Sequence, residues 1–308
     1  MFIIFGSFFM TVEHIPPSEQ IYLLNQELIQ NADSLAGPAI TVGGQAVRYW
    51  VNTYLHKYSK DNLPNEVFIT SVDVDYVTKR NNVENIAKAF NVEPHYNNPL
   101  DFPSIAICLL TDKDTKTIKE HEGRLFSNPD NNDECNLVDI IDRPAGFEHD
   151  DLSGDKLYLN TERFMINAAP GSHELVRILN PIACIRSRLA NIVNKVKDDI
   201  EVEKERIRSL MIPTYYFLLE KLEHEDFRTA RKYVEDFGYL LQERSRRHCL
   251  VKYGIELHKV LESLQVNLSE HRDDYELPDM FLDEELRRMA DHHKNQYIRL
   301  RAQLQLDQ

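Results

Sequence analysis

The sequence predicts an α/β protein of the α+β kind, in which a domain built on a mixed sheet precedes a C-terminal helical bundle. Short apolar runs bounded by turn residues recur through residues 1–175, as they do in buried strands. Residues 176–308 contain little glycine, and their apolar residues recur at helical spacing. We therefore divide the chain into an α/β domain of residues 1–175 and a helical domain of residues 176–308.

Hydrophobic periodicity and turn residues predict the elements of both domains. The first helix spans residues 18–31, and Ser18 is placed to cap it. Further helices of the first domain are predicted over residues 45–57 and 82–90. Its strands are predicted over residues 38–42, 67–77, 104–110, 124–126, 137–141, 157–159 and 175–179, with a loop at 128–133. The helical domain is predicted to contain helices over residues 181–209, 213–223, 225–247, 253–267 and 281–304.

Composition limits the class of protein. The formal net charge of −14 is concentrated in residues 1–170, which hold 13 Lys and Arg against 25 Asp and Glu. Such a surface is not attracted to nucleic acid as a whole, although a local basic groove remains compatible with it. The four cysteines follow no zinc or disulfide spacing, and no stretch is long and apolar enough to span a membrane. We expect a reduced cytoplasmic protein with no membrane partner; the apolar residues 1–10 are either a first strand or an extension before a start at Met10.

Two carboxylates lie two residues apart in the segment Ser71-Val72-Asp73-Val74-Asp75. On a strand this spacing puts Asp73 and Asp75 on the same face. Like charges beside a core repel each other and cost desolvation energy, and a bound divalent cation would relieve both effects. Mg²⁺ prefers such a site, with one or two carboxylates completed by phosphate oxygens and water. Taken alone, the pair is equally compatible with an edge strand that faces water.

Two further features strengthen the metal-site interpretation. Gly43 and Gly44 follow a predicted strand and begin a helix, where backbone N–H groups can approach a phosphate without interference from a Cβ atom. Asp139 is the centre of a later apolar strand and is a candidate third carboxylate. Asp142, just before a proline, is a competing candidate.

This order of motifs resembles the nucleotidyltransferase superfamily of the polymerase-β type, and within it the AbiEii-like toxin group. That group pairs Gly-Gly-x-Ala with Ser-x-Asp-apolar-Asp, and this chain has Gly43-Gly44-Gln45-Ala46 followed by Ser71-Val72-Asp73-Val74-Asp75. It also places a proline, a helical basic residue and a later acidic residue after the sheet. Pro181, Arg188 and Asp198 stand at those places here. The resemblance covers about residues 38–200.

The resemblance implies Mg²⁺-dependent (or Mn²⁺-dependent) transfer of a nucleoside monophosphate from an NTP to an RNA (such as tRNA), protein or small-molecule acceptor. It implies that Asp73, Asp75 and Asp139 hold metal, that Asp198 joins the catalytic residues, and that Gly43 and Gly44 hold phosphates. Toxin activity beside a cognate antitoxin, in a toxin-antitoxin or phage-defence system, is a further expectation from the group.

Three departures leave alternatives open. The interval from Gly44 to Asp73 is longer than in the group, which implies an insertion near residues 58–66. Arg188 replaces the usual lysine; arginine can bind phosphate but cannot transfer a proton, so Lys195 or Lys197 could take that role. A non-catalytic interaction protein that keeps the fold is therefore one alternative, and a glycosyltransferase that binds metal through Asp-x-Asp is a weaker one. The basic cluster of residues 244–248 is interpreted as a solvated helix C-terminus, with RNA or an acidic partner as the alternative.

Overall fold

The computed structural model describes residues 13–60, 63–69, 71–98, 103–166, 171–197 and 199–306. They form a mixed α/β structure with helices at the C-terminal end, as the sequence predicts. No helix in this described part of the chain is long and apolar enough to cross a membrane. All four cysteines are free thiols.

The main sheet has seven strands in the order β11-β12-β2-β3-β10-β5-β4. Strand β3 runs parallel to β10, and β2 runs parallel to β12, whereas the other neighbours are antiparallel. Its strands are β2 (Ala39–Thr41), β3 (Val74–Val77), β4 (Pro94–Tyr96), β5 (Ser104–Leu109), β10 (Leu137–Ile141), β11 (Thr161–Arg163) and β12 (Val176–Leu179). Two small sheets contain β1 (Glu13–His14), β6 (Glu120–His121) and β7 (Arg124–Leu125), and β8 (Ser127–Asn128) and β9 (Asn131–Cys135).

Helices cover the sheet and then continue as a helical C-terminal region. In the first half they are α1 (Pro17–Gln30), α2 (Gly43–Thr53), α3 (Glu66–Ile69), α4 (Val83–Ala89) and α5 (Gly154–Asn160). In the second half they are α6 (Pro181–Val193), α7 (Ile200–Ser209), α8 (Met211–His224), α9 (Phe227–Gln242), α10 (Arg244–Lys252), α11 (His258–Glu270) and α12 (Leu286–Leu306).

Helix α2 joins the sheet to the C-terminal helices. It contacts β3 on one side and α6, α7 and α8 on the other. The indole N–H of Trp50 donates a 2.6 Å hydrogen bond to the Leu179 carbonyl, and the Trp50 ring meets that of Phe217 edge to face. Burial of such aromatic rings is a large source of packing energy. Trp50 thus ties the last turns of α2 both to the end of β12 and to α8.

Several predicted elements are wrong in type. Residues 157–159 lie in α5 and not in a strand, since three apolar residues are too few to distinguish the two structures. The predicted loop at 128–133 is a hairpin of β8 and β9, whose exposed polar residues carry no hydrophobic pattern. Helix α1 begins at Pro17 after Pro16, so Ser18 is not its cap.

Candidate active site at the edge of strands β3 and β10

Parallel pairing of β3 and β10 brings together two of the predicted carboxylates. Asp139 lies directly opposite Asp75 in the register of the two strands. Asp73 immediately precedes β3. The competing candidate Asp142 lies beyond the end of β10 and pairs with Arg143 at 3.7 Å. The structure thus places Asp139, rather than Asp142, across from the Asp-x-Asp segment.

The predicted strand over residues 67–77 is wrong in its first half. Strand β3 begins only at Val74, so the alternation of a strand does not place Asp73 on the face of Asp75. Three side chains donate hydrogen bonds to backbone carbonyls of the segment before β3, where a neighbouring strand would do so in a sheet. They are Arg206 Nε to the Phe68 carbonyl at 3.0 Å, Gln45 Nε2 to Ser71 at 2.7 Å and Asn136 Nδ2 to Val72 at 2.8 Å.

Gly43 and Gly44 lie against this segment. Gly43 has a φ of +69°, and a Cβ atom there would lie 1.9 Å from Asp75 Oδ2. At Gly44 a Cβ atom would lie 2.6 Å from Ser71 Cβ and 3.0 Å from a terminal nitrogen of Arg206. The positive end of α2 therefore stands beside the Asp75 carboxylate. The space that the missing side chains leave is occupied by this carboxylate and by Ser71.

The carboxylates are held at an electrostatic cost. Burial raises the pKa of Asp75 to about 6, with a further upward contribution from the charge of Asp139. Burial and Asp139 also raise the pKa of Asp73. Lys197 acts in the opposite direction on both groups, and Arg188 does so on Asp75. A cation bound between the carboxylates would favour their charged forms.

A hydrogen-bonded chain supports Asp139 from the adjacent strands. Ser104 Oγ donates to Asp139 Oδ1 at 2.5 Å, and Asn97 Nδ2 donates to Ser104 Oγ at 2.7 Å. Such a chain fixes the orientation of the carboxylate. Neither Ser104 nor Asn97 carries a sequence signal that would single it out, because the contacts depend on the pairing of β10 with β5.

Arg188 forms part of a buried network that the sequence did not reveal. One terminal nitrogen of Arg188 lies 3.2 Å from Glu203 Oε1, and one of Arg206 lies 3.1 Å from the same oxygen. Asn191 Nδ2 donates to Glu203 Oε2 at 2.8 Å. Arg206 also interacts with Asp75 through its charge. The Glu203–Arg206 spacing of three residues marks one helix face, but it does not indicate that α7 packs against α6.

The predicted helix over residues 181–209 is interrupted, and the interruption separates the two candidate lysines. Helix α6 ends at Val193, and Lys195 follows with a φ of +53°. Lys197 acts electrostatically on Asp73 and Asp75, whereas Lys195 lines a separate groove. Asp198, the fourth predicted catalytic residue, lies outside the described residues.

The oxygen donors of Asp73 and Asp75 suit a magnesium ion. This ion commonly takes one or two protein carboxylates and completes its shell with phosphate oxygens and water. Within the described ranges, no group of three or more His, Cys, Asp or Glu side chains is arranged to hold a metal ion. Both ligand sets, Asp73 with Asp75 and the set that adds Asp139, stay predictions; the charge of Asp73 contributes to the raised pKa of Asp75, an effect that a bound cation would oppose.

A large cavity, of about 880 Å³, lies away from these carboxylates. Its lining includes Tyr49, Trp50 and Tyr54 near the C-terminal end of α2, roughly 9–16 Å along the helix from Gly43 at 1.5 Å per residue. Its charged groups are paired with one another, as Lys221 is with Glu162 at 3.0 Å. None of the predicted carboxylates lines this cavity, so the candidate site is defined by Asp73, Asp75 and Asp139.

Comparison with known proteins returns no relative: no family model, no curated protein and no solved structure matches this chain.

Proposed function

We propose that the chain is a Mg²⁺-dependent nucleotidyltransferase that moves a nucleoside monophosphate from an NTP to a hydroxyl of an RNA, protein or small-molecule acceptor. The observation that carries the proposal is the position of Asp139 opposite Asp75, beside the glycine-initiated helix α2. The resemblance of the Gly43–Ala46 and Ser71–Asp75 motifs to the polymerase-β type supports the same assignment.

Asp73 and Asp75 would hold the metal. When bound, Mg²⁺ neutralises charge on the triphosphate and on the developing transition state. Asp139, oriented by the hydroxyl of Ser104, would accept the proton of the acceptor hydroxyl. The reaction would be a direct displacement: the acceptor oxygen bonds to the α-phosphorus, the bond to the β,γ-diphosphate breaks, and the proton passes to the carboxylate.

Positive charge on α6, on α7 and on the turn between them would stabilise the leaving diphosphate. Lys197 already acts on both carboxylates of the pair. Arg188 and Arg206 are held near Asp75 through Glu203, which fixes the two guanidinium groups before substrate arrives. This arrangement agrees with a charge-neutralising role for Arg188, which needs no proton transfer.

The test is transfer of label from each α-³²P-labelled NTP, with Mg²⁺, to total RNA and to cell-lysate protein. We expect one acceptor to become labelled by the wild-type protein, and labelling to fall by about 10²-fold or more in Asp75→Asn, as is typical when an electrostatic catalytic group is removed. Asp142→Asn is the matched control, since it removes a carboxylate just beyond the same strand, and it should retain activity.

Failure to label any acceptor, or equal labelling by Asp75→Asn and wild type, would overturn the transferase proposal. Thermal-shift measurements with NTPs and with UDP-sugars then distinguish the alternatives. Stabilisation by an NTP without transfer indicates an interaction protein of the same fold, and Mn²⁺-dependent stabilisation by a UDP-sugar alone indicates a glycosyltransferase.

A further inference from the structure

A second charged feature lies on the opposite side of the turn that carries Lys197. It is a groove of about 810 Å³ between α6, α10 and the C-terminal part of α12. We call it the basic groove, and its charged rim is formed by Lys195, Arg244, Arg247 and Lys252. These residues belong to a chain whose net charge is −14, so the local excess of positive charge runs against the average surface.

Within the part of the chain that the structure describes, none of the four rim cations forms an ion pair. The acid of the groove, Glu243, is engaged in capping α10, where its carboxylate accepts hydrogen bonds from the backbone N–H groups of Ser245 and Arg246. The prediction that residues 244–248 end a helix is wrong, because Arg244 begins α10 and the cluster faces this groove.

Aliphatic side chains form the floor between these cations. Ile192, Val193, Ile200 and Leu300 line it, and Val193, Ile200 and Leu300 are partly exposed to solvent. Partly exposed aliphatic surface gains free energy when another apolar surface covers it. A positive rim around an apolar floor is complementary to a helix with one apolar face and acidic flanks.

The aromatic content of the groove argues against single-stranded nucleic acid as its occupant. Non-specific binding of bases relies on exposed aromatic faces for stacking. Among the described lining residues the groove offers the phenol ring of Tyr253 and the smaller imidazole ring of His248, and two ammonium groups already lie over the Tyr253 ring. Lys204 Nζ is 5.3 Å and Lys252 Nζ is 5.1 Å from its centroid.

We infer that the basic groove docks an acidic, amphipathic segment of a partner protein. The apolar face of the segment covers the aliphatic floor, and its carboxylates pair with Lys195, Arg244 and Lys252. The inference does not depend on the transferase activity, because it concerns a surface that carries none of the predicted carboxylates.

The test is fluorescence anisotropy of the full chain with three labelled probes, without Mg²⁺ or nucleotide. The first is a synthetic helical peptide with leucine on one face and glutamate elsewhere, the second has lysine in place of glutamate, and the third is single-stranded RNA. We expect the glutamate peptide to bind, with the lysine peptide and the RNA at least about tenfold weaker.

Two variants separate docking from general charge attraction. The triple variant Lys195→Glu, Arg244→Glu, Lys252→Glu should weaken binding of the glutamate peptide about tenfold or more, and Leu300→Ala should weaken it by a smaller factor. The matched control, Lys79→Glu, Lys113→Glu, Lys232→Glu, makes the same charge change on exposed lysines outside the groove and should bind like wild type. Tighter binding of RNA than of peptide, equal loss in both triple variants, or no effect of Leu300→Ala would overturn the inference.

Discussion

The carboxylate site and the basic groove both concentrate charge of one sign, but they are built on different supports. Asp75 and Asp139 lie opposite each other in paired strands, and Asp75 also lies against Gly43 of α2, so the two carboxylates have little freedom to move apart. Lys195, Arg244 and Lys252 are exposed on the surface of a turn and a helix, where water and salt screen them. Like charges that are close together and partly buried lower the stability of the fold, whereas like charges exposed to solvent lower it little.

The difference also predicts which solution conditions affect each region. Asp75, whose pKa is raised, favours its charged form when a cation binds beside it, so pH and Mg²⁺ should affect this site together. An exposed cationic rim is screened by dissolved ions, so ionic strength should affect it instead. The two regions meet at the turn of residues 194–197, which presents Lys195 to one and Lys197 to the other.

The largest expected effect concerns Gly43, whose lack of a side chain allows α2 to lie against the Asp75 carboxylate. Gly43→Ala places a Cβ atom where Asp75 Oδ2 now lies and also forces a non-glycine residue to a φ of +69°. We expect the free energy of unfolding to fall by about 2–5 kcal/mol, the sum of overpacking and left-handed backbone strain, measured by urea denaturation. Gly37→Ala is the control, since a Cβ atom there meets nothing within 4 Å.

A double variant identifies the cause of that loss. In Gly43→Ala with Asp75→Ala, the clashing carboxylate is absent and the backbone strain of about 1–2 kcal/mol remains. Adding Gly43→Ala to the Asp75→Ala variant should therefore lower the free energy of unfolding by less than adding it to the wild type. Additive effects of the two substitutions would show that the approach of α2 to Asp75 does not hold the site rigid.

Sequence patterns predicted the parts of this site that depend on local order. The apolar run around Asp139 identified β10 with its observed ends, Leu137–Ile141, and Gly43 was placed at the start of a helix. The mixed α/β fold class was also predicted from local patterns, because the hydrophobic periodicities of strands and helices differ. What the patterns could not supply was the partner of each group, since the registry of β10 with β3 and β5 joins residues far apart in the chain.

The failures have the same physical origin. Residues 67–73 look like a strand, but Glu66–Ile69 form α3, and Arg206 and Asn136, remote in sequence, donate hydrogen bonds to the carbonyls of Phe68 and Val72. The run of residues 181–209 looks like one helix, but Lys195 adopts a left-handed conformation that stops it and lets α7 fold back. Glu203 thereby reaches Arg188, and a network formed by two helices is invisible to the periodicity of either one.

The second prediction concerns pH and sharpens the contrast between buried and exposed charge. A carboxylate whose pKa is raised in the folded protein binds its proton more tightly there than in the unfolded chain. The wild type should therefore lose stability, relative to Asp75→Asn, as pH rises from about 4, the unfolded value, to about 6, the folded value of Asp75. Above that window the difference should be constant at roughly 2–3 kcal/mol, with Asp75→Asn the more stable.

The measurement is urea denaturation of both proteins between pH 4 and 8, with and without Mg²⁺. Saturating Mg²⁺ should stabilise wild type at pH 7 and should reduce its disadvantage relative to Asp75→Asn, because the ion favours the charged carboxylates. A difference that does not vary with pH, or equal stabilisation of both proteins by Mg²⁺, would contradict the assignment of Asp75 as a buried metal-binding carboxylate.

The smallest effect is expected at the basic groove and concerns salt. Repulsion among Lys195, Arg244 and Lys252 is weak because the side chains are exposed, so replacing all three with glutamine should change the free energy of unfolding by about 0.5 kcal/mol or less at moderate salt. The sign should be stabilising, and it should vanish as the Debye length shortens to about 3 Å at 1 M salt. A matched replacement of Lys79, Lys113 and Lys232, which are spread over the surface, should show no salt-dependent gain. If the groove variant instead lost several kcal/mol at every salt concentration, its cations would be structural, and the contrast between an electrostatically costly carboxylate site and an inexpensive docking surface would fail.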